Sequence, residues 1–141
     1  MSLDGLGDLN WLAVVVATLV YFALGALWYS PALFGNTWGK AAGMDMENTQ
    51  SPGPAIYLAP LVTCFVSVLA TGLLVVATGS DSVGNGICLG LVIGIGYVLT
   101  LFATTATFET SKPQPWVWMI ITASYHFLGL VIAAVILSAW K

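Results

Sequence analysis

The one histidine of the chain, His126, lies in the uncharged run 113–140. An imidazole can relay a proton, hold a ligand or tie two helices together by a hydrogen bond. With about 100° of turn per residue, Thr122, His126, Gly129 and Ala133 share one helix face, so the ring sits on a small-residue face that points at protein. At about 1.5 Å per residue it stands about 16 Å from Pro115, near the middle of a bilayer. A charged or unpaired ring there is costly, so the expected state is a neutral imidazole bonded to a hydroxyl or carbonyl of another helix. A relay would need a second acid or histidine inside the membrane, and the sequence offers neither.

Glu109 is the other candidate, in Phe108-Glu109-Thr110-Ser111-Lys112-Pro113. A carboxylate at a helix C-terminus faces the negative end of the dipole and calls for a donor. Lys112 can supply one, as can the indole or phenol of Trp28, Tyr29, Trp38, Trp116 or Trp118 at the same end of the helices. The candidate polar or binding set is therefore His126, Tyr125, Thr122, Trp28, Tyr29 and Glu109. Acid–base catalysis shared by His126, Tyr125 and Glu109 is opposed by more than about 10 Å of axial rise between them. No phosphate loop, HExxH, nucleotide fingerprint or nucleophile elbow is present. Cys64 and Cys88 fall inside apolar runs and are read as small buried groups, so no catalytic residue, metal or cofactor is expected.

The elements carrying these residues follow from composition. Of the 141 residues 59% are hydrophobic and 6% charged, against about 25% charged in soluble domains, and mean hydropathy is +0.96. Nine charges and no arginine exclude a soluble enzyme or a nucleic-acid binder, and the solvent is the lipid bilayer. The uncharged runs 9–39, 48–80, 82–108 and 113–140 each exceed the roughly 20 apolar residues that span as helix. They do not alternate as barrel strands would. The expectation is an all-α integral membrane bundle of four transmembrane helices near 9–30, 54–78, 85–108 and 115–140, forming one domain. Segment 31–43 should be a short interfacial helix with Leu33, Phe34, Trp38 and Ala42 on one face, and 44–53 a polar loop. Pro60 should kink the second span near its start.

Asp4 stands where a secretory leader would carry a basic residue, so the first helix is expected to remain. Four spans put both termini on one side, and the lysine loops, with Lys40 and Lys112, on the other. Two lysines against Lys141 set the termini outside.

Gly86, Gly90 and Gly94 recur every four residues and read as a ridge for close helix packing, with Tyr97 and Thr104 on the same face. Gly129 and Ala133 play that part on the last helix. Small-residue faces of this kind suit a homo-oligomer. Thr63, Ser67, Thr71 and Thr78 form a hydroxyl stripe that can bond its own helix's carbonyls.

Asn10-Trp11-Leu12-Ala13-Val14-Val15-Val16-Ala17, then Gly25-Ala26-Leu27-Trp28-Tyr29-Ser30-Pro31-Ala32-Leu33-Phe34-Gly35 with Trp38, resembles the prokaryotic membrane-protein family called domain of unknown function 1761. Phe108-Glu109 and Tyr125-His126 are similar to the family's pattern too, so the resemblance spans nearly the whole chain. Where that pattern has Asn-Ala-Gly-Tyr-His, this chain has Thr122-Ala123-Ser124-Tyr125-His126. The resemblance implies a small four-helix integral membrane protein and no established activity. From the residues themselves, a non-enzymatic oligomeric or accessory membrane component is favoured over a small transporter or channel around His126.

Overall fold

The structure, a computed structural model, describes residues 3–45, 47 and 53–140. All regular structure among them is helical: a 3₁₀ turn Leu3–Leu6, α1 Trp11–Trp28, α2 Gly35–Ala42, a 3₁₀ turn Pro54–Tyr57, α3 Leu58–Thr78, α4 Val83–Ile93, a π-helical segment Gly94–Leu99, α5 Thr100–Phe108 and α6 Pro115–Ala139. Four stretches are long and apolar enough to cross a membrane: Trp11–Trp28, Pro54–Thr78, Val83–Phe108 and Pro115–Ala139. The polar segment 44–53 lies largely outside the described residues.

Local chemistry sets the ends. The Asn10 side chain accepts from the Ala13 N–H at 3.1 Å to start α1, and Ser82 accepts from Asn85 at 3.2 Å to start α4. Gly43 (φ 80°) and Gly79 (φ 64°) end α2 and α3 in the left-handed conformation, and Pro115 opens α6. The second span begins as 3₁₀ over Pro54–Tyr57 and turns α-helical at Leu58, two residues before Pro60.

The hub is α6. It packs against α1, α2, α3, α4 and α5, and α1 and α3 also pack on each other. Ala13, Val14, Ala17, Val68 and Ala133 are fully sequestered at their meeting. The span 83–108 finds its helix partner in α6 and leaves most of its surface outward. Cys64 is buried, but Cys88 is exposed, contrary to expectation. Gly86 and Gly90 face α6, and a residue midway between them must point the other way.

The π-helical segment overturns a second expectation. Tyr97 and Thr104 do not continue the glycine face: both are exposed. A π-turn takes in one extra residue and shifts the face by about 100°. The inward series therefore runs Gly94, Val98, Phe102, Ala106, with Val98 on the core, Phe102 against His126 and Ala106 buried. On α2 the face is also smaller than expected. Leu33 and Phe34 precede the helix and are exposed, while Gly39 and Ala41 are buried and Trp38 turns toward α6.

Candidate functional site

Midway along α1, Tyr21 is 2% exposed, and its hydroxyl lies 2.6 Å from Nδ1 of His126 on α6. In a neutral ring this geometry has the phenol donating to Nδ1 and leaves the N–H on Nε2. The imidazole is half-buried between Phe102, stacked at 5.6 Å and 17°, and Tyr125 at 4.6 Å. Among the described residues none accepts from Nε2. Room for the Tyr21 ring comes from Gly129, where a Cβ would run into the ring itself.

Tyr125, beside His126 on α6, reaches toward α3 as well. Its hydroxyl donates to the Tyr21 carbonyl at 3.3 Å and lies 3.5 Å from Cys64 Sγ on α3. The Tyr125 ring touches Tyr21 at 5.3 Å and Tyr29 at 5.4 Å, and Tyr29 meets Trp38 at 5.2 Å. Two indoles then clasp the N-terminal half of α6. Trp28 Nε1–H donates to the Ile121 carbonyl at 3.0 Å, and Trp38 Nε1–H donates to Thr122 Oγ1 at 3.0 Å. Thr122 passes its own proton to the Trp118 carbonyl at 2.8 Å. Thr122 thus both receives a hydrogen bond from the α2 indole and returns one to its own helix.

Five of the six candidate polar residues, His126, Tyr125, Thr122, Trp28 and Tyr29, therefore lie in one continuous aromatic and hydrogen-bonded seam between α1, α2 and α6. Glu109 does not join it. Its carboxylate takes Lys112 Nζ at 2.8 Å, the Ser111 hydroxyl at 2.5 Å and the Ser111 N–H at 2.9 Å, all within the same loop. Lys112 in turn lies 4.6 Å over the Trp118 ring. These donors, Lys112 foremost and then the Ser111 hydroxyl and N–H, pull the Glu109 carboxyl from its ordinary 4.5 down to about 2. A depressed acid supports the loop above pH 4.5, and that support fades as pH falls toward 2. A carboxyl ¹³C titration should place the Glu109 midpoint near 2 and return it toward 4.5 in Lys112→Met; a midpoint of 4.5 in the unaltered protein would contradict the loop geometry.

The glycine ridge meets α6 of its own chain. A Cβ at Gly86 would stand 2.7 Å from Val135 Cα, one at Gly90 2.6 Å from Val131 Cα, and one at Gly94 inside the Phe127 ring. Ala133 is fully buried on the opposite flank of α6. Tyr21, Cys64 and Trp38 were not among the site candidates. The signal for Tyr21 was depth: it stands about 15 Å into α1, as far from one face as His126 is from the other. Cys64 and Trp38 carried no such signal.

No curated protein and no solved structure matches the chain. The family model described as "Protein of unknown function (DUF1761)" matches residues 12–138, nearly the whole chain, and the chain belongs to that family.

Proposed function

We propose that this family member is a non-enzymatic, homo-oligomeric component of the membrane, and that its copies meet through the outer face of the span 83–108. The observation that carries the reading is Gly96. It has nothing within 4 Å of where a Cβ would be, in a helix whose inner face is already occupied by α6. Thr100 and Thr104 continue the open face at four-residue spacing, and their hydroxyls return to the Gly96 carbonyl at 2.7 Å and the Thr100 carbonyl at 3.0 Å. Such a face offers close backbone approach without unsatisfied polar groups, which is what drives association where lipid is as apolar as the protein. The sealed meeting of α1, α3 and α6 supports a structural or accessory part over conduction.

Gly96→Leu should raise the dissociation constant between labelled copies in lipid vesicles by about tenfold or more, read by energy transfer on dilution into excess lipid. Equal dissociation of Gly96→Leu and the unaltered protein would reject this face as the interface.

The same reading puts both termini outside and the Lys40 and Lys112 loops inside, on the positive-inside rule with Lys141 opposed. With Cys64 and Cys88 replaced by serine, an impermeant thiol reagent on intact cells should label Ser82→Cys and spare Thr49→Cys, whose site lies outside the described residues. The opposite pattern reverses the orientation.

A further inference from the structure

We propose that the cleft between α1 and the start of α3 binds a neutral, ring-headed lipid carrying a carbonyl oxygen, a molecule of the quinone class. The cleft holds about 490 Å³, within the range of small-molecule sites. Gly25 and Ala26 form a flat floor on α1, and Phe22, Tyr29, Tyr57 and Tyr125 supply aromatic walls. Ala26 and Tyr57 are exposed on the outer surface of the spans, so entry is sideways from the bilayer.

Three features select the occupant. Among the described residues no charged side chain lines the cleft, and the chain has no arginine, so a phosphate or carboxylate headgroup finds no counter-charge there. Aromatic walls gain edge and offset-stacking contacts from a flat ring that an acyl chain does not offer. The third is the Tyr125 hydroxyl. Tyr125 is 6% exposed, with Cys64 sulfur 3.5 Å from its Oη, and its one proton goes to the Tyr21 carbonyl at 3.3 Å, beyond the range of about 2.5–3.0 Å for ordinary O–H···O bonds. A Cβ at position 25 would lie 2.7 Å from Oη, so glycine there keeps this donor open to the cleft. At the inner end of this aromatic cleft the phenol can turn its one proton from the long Tyr21 contact to a ring carbonyl in its place. The site is built within one chain and stands independently of the oligomeric reading.

The test is titration of decylubiquinone into the full chain in nanodiscs, read by quenching of tryptophan fluorescence. The unaltered protein should show a saturable component above linear partitioning. Ala26→Phe fills the cleft from an exposed position and should weaken that component at least tenfold. Tyr125→Phe removes the donor and should weaken it several-fold, and decanol, with the same tail and no ring, should not compete. Linear quenching identical in the unaltered protein and Ala26→Phe overturns the proposal. Equal competition by decanol also overturns it, since the cleft would then be an acyl-chain groove.

Discussion

Gly90→Leu should lower the stability of the isolated chain in detergent by about 3 kcal/mol or more, at the upper end of overpacking costs. The cause is backbone on backbone: a Cβ at position 90 would stand 2.6 Å from Val131 Cα, and no rotamer of leucine can move a backbone atom. Either α4 swings away from α6 and surrenders the contacts of Gly86 and Gly94 as well, or α6 shifts and carries the Tyr21–His126 pair with it. Gly84→Leu is the control. Nothing lies within 4 Å of a Cβ there, and its melting temperature should barely move. Because Val131 belongs to the same chain, the loss should be independent of protein concentration, unlike the effect of Gly96→Leu. An unchanged melting temperature for Gly90→Leu would refute the close packing of α4 on α6.

The four apolar helices and the short helix after the first were legible because charge spacing and proline placement act locally. Lipid allows a backbone few alternatives to the helix. The partner of the glycine ridge was not legible, since a small residue every fourth position suits any helix that approaches closely, in this chain or another. Nor was the π-helical segment. Periodicity arithmetic assumes a constant turn and so carried Tyr97 and Thr104 onto the wrong face. His126 could be assigned a depth and a face but not a partner. Thr18, Tyr21, Gly25 and Trp28 recur at spacings three, four and three along the first helix, and only matching the depth of Tyr21 to that of His126 joins the two. Glu109 had too many nearby donors in sequence. Ser111 is close enough to satisfy the carboxylate inside the loop before any indole is needed.

His126→Ala should cost about 2 kcal/mol and Tyr21→Phe about 1 kcal/mol, with the two coupled. The asymmetry follows from what each leaves behind. Without the imidazole, the Tyr21 hydroxyl remains almost fully buried with no acceptor, at roughly 1–3 kcal/mol for an orphaned donor, and the ring's contacts with Phe102 and Tyr125 go too. Without the hydroxyl, only the 2.6 Å bond is lost, and intramembrane bonds of this kind measure about 0.6–1.7 kcal/mol. The double variant should therefore fall short of the sum by about 1 kcal/mol, the coupling typical of groups in direct contact. Additivity within about 0.3 kcal/mol would mean that the short contact contributes nothing to the fold. Reconstituted vesicles separate this structural part from the transport alternative. A tie between α1 and α6 leaves proton flux unaltered by His126→Ala, whereas a relay through Nε2 would give a pH-dependent flux that disappears in His126→Ala and persists in Tyr21→Phe. That persistence is expected because Tyr21 holds Nδ1 and leaves the Nε2–H as the group open to a proton acceptor.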